Sequence, residues 1–259
     1  MDKGCHYFHF GLLVTGKGEA LHLPKLFKSL AATGICSIKV IRKIAQLSPR
    51  TSPKQKLKMV GQGKIIPTKD EKDIGLPARR YLNTTPCAFV ILIDDLEHGR
   101  KEDARQIFDR YRLALDTMLT EPQQQRAAVH FLVNMLEAYY FADAAALNQV
   151  LGFDPPWEDF CGDVETIRHP KNELKRAFPG FDEVEHGGQI LEVIDIEHVL
   201  SRPDTCAWLR TLFAWCESIV RKHYPLQEPL QALALSERYC LSSGILSRVT
   251  RAQIEDSDR

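Results

Sequence analysis

The sequence predicts an α/β protein with a mostly parallel sheet flanked by helices, followed by a mainly helical C-terminal part. Strand-like and helix-like segments alternate over about the first 150 residues, which is typical of a parallel sheet connected by helices. The clearest strand candidate, residues 89–93, is an unbroken apolar run rich in Val and Ile, as expected for a strand buried on both faces. Acidic residues follow this run directly, at the end of the strand where open α/β sheets bind ligands.

The remaining elements follow from apolar periodicity and from the positions of Gly and Pro. The predicted strands are 7–14, 37–41 and 127–133, and the predicted helices are 19–31, 101–119, 135–151, a short one from Pro170, and 206–220. Residues 46–63 are rich in Ser, Pro, Lys, Gln and Gly, which indicates a loop. Pro155 and Pro156 end the alternating part. We therefore predict an α/β core at 1–154, with a basic insertion around 42–80, and a helical part at 155–259 packed on the core.

The charge of the chain is balanced overall but unevenly distributed. Lys plus Arg and Asp plus Glu are 34 each, whereas residues 39–80 hold twelve basic and three acidic residues. A local charge of +9 beside an acidic site favours a polyanionic ligand such as nucleic acid. The alternative is a solvated insertion without a binding role.

The cysteines and the apolar runs point to a cytoplasmic protein without a membrane span. The seven cysteines form no CxxC pair, so we expect reduced thiols, with neither a disulfide framework nor a zinc ribbon. No apolar run approaches the length of a membrane-spanning helix, and the N-terminus lacks a signal-peptide pattern.

Three carboxylates, on Asp94, Asp95 and Glu97, follow the central strand candidate. Three carboxylates at the carboxyl end of one strand are costly to hold close together without a cation. Since all the candidate ligands are hard oxygens, the pattern favours Mg²⁺, with Mn²⁺ as a substitute. The alternative is a strand end that meets a polar, solvated turn.

Four separated segments together resemble the DUF4276 family. They are VTGKGEALHLPKLF (14–27), ILIDDLEHG (91–99), FLVNMLEAYYFAD (131–143) and VETIRHPKNEL (164–174). The family shows V-E-G-x-x-E after its first strand, an acidic strand end, L-E-A-W, and E-x-I-x-x-P-K-x-x-L. Tyr139 replaces the Trp of the third motif, and the fourth motif is present in full. The resemblance covers about residues 8–215 and implies a fold similar to the TOPRIM domain.

The resemblance also implies a metal site of the kind found in OLD-type nucleases. In that case Glu19 is one acidic ligand, and Asp95 and Glu97 form the D-x-D element, with Asp94 as a neighbouring candidate. Two further residues complete the implied site: Glu137 as another carboxylate, and Lys171 as the contact to the scissile phosphate. Glu19, Asp95, Glu137 and Lys171 are then the catalytic residues.

One departure from the family pattern leaves two functions open. Thr15 stands where the family has its first glutamate, and a hydroxyl is a poorer ligand for a hard dication. The favoured hypothesis is a Mg²⁺-dependent nuclease or phosphoesterase acting on nucleic acid, as the effector of a bacterial anti-phage defence complex. The alternative is a catalytically weak TOPRIM-like subunit that binds an ABC- or OLD-type ATPase partner or nucleic acid. Either form is compatible with an oligomer.

Overall fold

The computed structural model describes residues 4–48, 58–60, 64–225 and 233–257. Its central sheet has four strands in the order β2-β1-β5-β6, and all neighbours are parallel. These strands are β1 (Phe8–Val14), β2 (Cys36–Lys43), β5 (Ala88–Leu96) and β6 (Ala127–Val133), and a separate antiparallel pair consists of β3 (Lys58–Val60) and β4 (Lys64–Ile66). The predicted α/β class, with a mainly helical C-terminal part, is confirmed.

Helices cover both faces of the sheet. In chain order they are α1 (Lys17–His22), α2 (Lys28–Ala32), α3 (Leu76–Leu82), α4 (Ala104–Asp116), α5 (Glu121–Gln124), α6 (Ala144–Leu151), α7 (Pro170–Ala177), α8 (Glu185–Val193), α9 (Ile196–Ser201), α10 (Ala207–His223), α11 (Leu235–Arg238) and α12 (Ala252–Ser257). Short 3₁₀ helices span Leu23–Phe27, His98–Asp103, Leu136–Ala142 and Val164–Thr166, and a π-helical turn spans Glu71–Gly75.

Successive side chains along each strand pack alternately into two separate hydrophobic cores, one on each face of the sheet. Leu92 and Leu96 of β5 face the core beneath α3 and α4, whereas Ile91 and Ile93 face the larger core beneath α10. The larger core contains residues from Cys5 to Leu241, so the helical C-terminal part packs on the sheet. The domain boundary at residue 154 stays a prediction.

Two predicted helices are interrupted for local reasons. The helix predicted at 19–31 divides into α1, a 3₁₀ turn and α2, because Pro24 cannot donate a helical hydrogen bond. The helix predicted at 135–151 divides into a 3₁₀ helix and α6, with Asp143 capping α6 by accepting a hydrogen bond from the Ala146 N–H.

The expectation that all cysteines are reduced is wrong. Cys5 and Cys87 form a disulfide, with their Cα atoms 5.6 Å apart, and it joins the chain before β1 to the residue before β5. The two residues are 82 positions apart, so only the pairing of β1 with β5 brings them together. Cys36, Cys161, Cys206, Cys216 and Cys240 are free thiols.

Within the described ranges, no helix is long and apolar enough to cross a bilayer.

Candidate functional site at the carboxyl edge of the sheet

Asp94 and Asp95 point to opposite faces of the sheet because successive side chains of a strand alternate. Asp94 continues the row of Leu92, toward the core beneath α4, and Asp95 continues the row of Ile93. The two adjacent carboxylates therefore belong to two different environments.

Asp94 is held entirely by groups of the protein. Its side chain has no exposed surface, and Arg100 forms an ion pair with Oδ2 at 2.9 Å. Tyr111 also donates to Oδ2 at 3.0 Å, while Thr15 and Gln46 donate to Oδ1 at 2.8 and 3.2 Å. Four donors fill the acceptor positions of this carboxylate, so Asp94 serves as a structural anchor and we leave it out of the proposed ligand set.

Asp95 lies on the other face, beside the carboxyl of Glu19. Its Oδ1 is buried and receives no hydrogen bond from an N–H or hydroxyl of the described residues. Burial raises the pKa of the Asp95 carboxyl, and so do a hydrogen bond to Glu19 and the charges of Glu19, Glu137 and Asp94. Two ionised carboxyls can only accept, so either a proton or a cation between them would reduce their repulsion.

Gly16 allows the Glu19 carboxylate to fold back over the backbone. Glu19 is in the first turn of α1 and is only 8% exposed. A Cβ at position 16 would lie 1.5 Å from Glu19 Oε2, whereas nothing lies within 4 Å of a Cβ at Gly18. The glycine of the first motif is therefore needed for space, since its φ of −89° is open to any residue.

Glu137 is presented by an unusual turn after β6. Asn134 and Met135 both have positive φ, 57° and 77°, which is uncommon for residues with side chains and is often found near functional sites. Glu137 follows at the start of a 3₁₀ helix and is 7% exposed. Burial raises the pKa of Glu137 to about 7, with the charge of Glu19 acting in the same direction and that of Lys171 against it.

Lys171 borders this group from α7. It forms an ion pair with Glu183, and its charge acts on Glu137. Tyr140 lies on another side: its ring is buried, its hydroxyl donates to the Gly187 carbonyl at 3.5 Å, and burial together with Glu137, Glu19 and Asp95 raises its pKa. Among the four residues predicted as catalytic, the charges of Glu19 and Glu137 thus act on Asp95, and those of Glu19 and Lys171 act on Glu137; their catalytic role stays a prediction.

Glu97 is not part of this arrangement. It is exposed at the start of the 3₁₀ helix that follows β5, and nothing in the described part of the chain brings its carboxylate to Glu19 or Asp95. Thr15, predicted to weaken a metal site, lies on the Asp94 face and also accepts a long hydrogen bond of 3.4 Å from the Asp95 N–H.

Glu165, from the fourth motif, has a structural contact at the start of α10. It is 2% exposed, and its Oε1 accepts hydrogen bonds from the Tyr139 hydroxyl and the Trp208 N–H, both at 2.9 Å. Burial raises the pKa of Glu165 to about 7. This contact joins the third and fourth motifs and so fixes Glu137 relative to Lys171.

Sequence reasoning missed the supporting residues Arg100, Tyr111, Gln46 and Tyr140. Arg100 could have been found, since an arginine shortly after a buried acidic strand end can turn back to pair with it. Gln46 and Tyr111 lie 48 and 17 residues from Asp94, and no local pattern marks them.

The basic segment begins at the same edge of the sheet. Lys39, Arg42 and Lys43 are exposed on the edge strand β2, where charged residues also discourage pairing with other chains. Gln46, just beyond β2, reaches Asp94 and the Asp95 carbonyl at 3.2 and 2.8 Å. Arg50, Lys54 and Lys56 lie outside the described residues, so the role of the segment stays a prediction.

The donor chemistry of the site suits a hard divalent cation. Glu19, Asp95 and Glu137 offer only carboxylate oxygens, and a buried Asp95 oxygen lacks an N–H or hydroxyl donor. Among the residues that the structure describes, however, no group of three or more His, Cys, Asp or Glu side chains is already placed to hold a metal ion. These carboxylates would have to approach one another to bind Mg²⁺ or Mn²⁺.

A family model described as a domain of unknown function, DUF4276, matches residues 14–213. Comparison with curated proteins and with solved structures found no match. The matched range contains all four motifs and the whole carboxylate group.

Proposed function

We propose that this chain, which belongs to the DUF4276 family, is a metal-dependent nuclease or phosphoesterase that acts on nucleic acid. One observation supports the proposal: Glu19, Asp95 and Glu137 come from three different elements near the carboxyl edge of a parallel sheet, and Glu19 and Glu137 act electrostatically on Asp95. Burial and the charges of neighbouring carboxylates, Glu19 among them, raise the pKa values of Asp95 and Glu137, which is the cost of assembling anions without a cation. A structural role alone does not require that cost.

In this proposal Glu19, Asp95 and Glu137 hold Mg²⁺ or Mn²⁺, and Lys171 contacts the phosphate. A bound cation of this kind activates water and neutralises charge that develops at phosphorus. Asp95 and Glu137 would hold the cation as carboxylates, so their raised pKa values would make metal binding stronger at higher pH. Lys171 offers an ammonium beside the carboxylates, where it balances part of the charge of a phosphodiester.

The place of the chain in a cell is a further part of the proposal. By the TOPRIM-like resemblance, the nuclease is the effector of a bacterial anti-phage defence complex and works beside an ABC- or OLD-type ATPase. The basic segment at 39–80 supports nucleic acid as the ligand, because it leaves the sheet at the edge that carries the carboxylates.

A second candidate is a catalytically weak subunit that binds nucleic acid or a partner ATPase. It is favoured by Thr15, whose hydroxyl is committed to Asp94 where the family has a glutamate. The two candidates differ in metal binding: titration calorimetry with Mn²⁺ should show a site in the nuclease and none in the binding subunit.

The direct test is cleavage of plasmid, linear DNA and tRNA in Mg²⁺ or Mn²⁺. We expect the wild-type chain to cleave at least one substrate and Asp95→Ala to be inactive. Asp109→Ala is the matched control, since Asp109 is 57% exposed in an ion pair with Arg105 on α4. Equal activity of wild type and Asp95→Ala, or no cleavage and no Mn²⁺ binding by the wild type, would refute the nuclease.

A further inference from the structure

Two lysines on one face of α7 share a single carboxylate. Lys171 and Lys175 are four residues apart and therefore neighbours on the helix surface. Lys171 Nζ pairs with Glu183 Oε2, and Lys175 Nζ lies 3.2 Å from Glu183 Oε1. Each oxygen of Glu183 thus has its own ammonium group.

This arrangement lies at the border of the acidic group. The charges of Lys171 and Glu183 both act on Glu137, so all three side chains are close to one another. Glu183 belongs to the loop between α7 and α8, and the neighbouring Asp182 feels the charge of Lys17 at the start of α1. Lys171 and Lys175 therefore pair with an acidic loop, on which Lys17 also acts, and Lys171 is the lysine whose charge reaches Glu137.

A carboxylate with an ammonium on each oxygen occupies the position that two oxygens of a phosphate would take. The Glu183 side chain is 38% exposed, and those of Lys171 and Lys175 are 26% and 45% exposed. Ion pairs at this exposure are individually weak, so a polyanion can displace the carboxylate without leaving a buried charge unpaired.

We propose that Lys171 and Lys175 together form a site for a backbone phosphate of nucleic acid, and that Glu183 occupies this site when no nucleic acid is bound. The inference rests on the proposed function for the identity of the ligand. It adds Lys175 as a substrate-binding residue and assigns the α7–α8 loop as an internal competitor for the substrate.

Binding can be measured separately from cleavage with a short fluorescent oligodeoxythymidylate in EDTA, by anisotropy over a range of salt concentrations. Glu183→Gln keeps the shape of the side chain and removes the competing charge, so affinity should rise about threefold to tenfold. Lys175→Gln should weaken binding and reduce the slope of log affinity against log salt by about 0.7, the value for one contact to a single strand.

Matched controls lie on the same helix. Glu173 and Arg176 form an ion pair at 2.5 Å, so Glu173→Gln and Arg176→Gln make similar charge changes without touching the shared carboxylate. Both should leave the affinity and the salt slope close to those of the wild type. Thermal melting of each variant verifies that it is folded.

The inference is overturned if Glu183→Gln binds no more tightly than Glu173→Gln, or if Lys175→Gln has the salt slope of Arg176→Gln. If the predicted binding shifts appear and the wild type neither cleaves a substrate nor binds Mn²⁺, the phosphate site is supported and the nuclease is refuted. The two proposals can therefore fail independently.

Discussion

The adjacent aspartates at the end of β5 should respond to the same substitution in opposite ways. Asp94→Asn removes one partner of a buried ion pair, in which the Arg100 side chain is 14% exposed and that of Asp94 is not exposed at all. The NH2 group of the new amide also faces one pair of donors, either Arg100 and Tyr111 or Thr15 and Gln46, and an NH2 group cannot accept their hydrogen bonds. Breaking a buried pair from one side costs about 3–5 kcal/mol of folding free energy.

Asp95→Asn removes a carboxyl that burial and its neighbours keep from ionising easily. An amide is neutral at every pH, and its N–H group can donate to the Glu19 carboxylate. We therefore expect Asp95→Asn to be at least as stable as the wild type at pH 8 in EDTA, and to lose metal-dependent activity if the proposed function is correct.

Urea unfolding and thermal melting in EDTA test the contrast. At about 2–4 °C per kcal/mol for a chain of this size, a loss of about 3 kcal/mol in Asp94→Asn lowers Tm by about 6–12 °C. An equal loss of stability in both variants, or an unchanged Tm for Asp94→Asn, would refute a structural role for Asp94 and a site role for Asp95.

Three further predictions concern the space, charge and pH response around the site. Gly16→Ala should abolish the metal-dependent activity of a nuclease, because a Cβ at position 16 collides with the Glu19 carboxylate. Gly18→Ala should retain that activity, because the space around position 18 is open. Equal activities of the two variants in a cleavage assay would contradict this prediction. Thr15→Glu should lower Tm and leave Mn²⁺ affinity in calorimetry unchanged, because the new charge meets Asp94 on the face of the sheet opposite Asp95. A gain in Mn²⁺ affinity would show that residue 15 does not face Asp94 alone. Burial lowers the pKa of His130 to about 3, so the free energy of unfolding should fall as the pH drops below 6.5, by about 2 kcal/mol at pH 5. His130→Phe should remove this part of the pH dependence, which urea titrations at several pH values measure. The same dependence of unfolding free energy on pH in wild type and variant would count against the prediction.

Periodicity was enough to predict most of the sheet. β6 matches the predicted range 127–133, and β1 and β2 differ from prediction by one or two residues at their ends, because unbroken apolar runs and alternation report burial directly. The helix at 206–220 was placed almost as well, since its apolar spacing is regular. Predictions failed where a local breaker acted within an apolar pattern, as at Pro24 and at the positive-φ pair that precedes Glu137.

The sequence by itself determined the fold class and the family, because strand periodicity and short motifs are local, and the roles of the four residues of the candidate site stay a prediction. Only the tertiary structure decided what each carboxylate faces. Asp94 and Asp95 are equivalent in the sequence, but the pleat sends one to Arg100 and the other to Glu19. The contacts that distinguish them join residues far apart in the chain, and these meet only because parallel pairing places the strands' carboxyl ends at one edge.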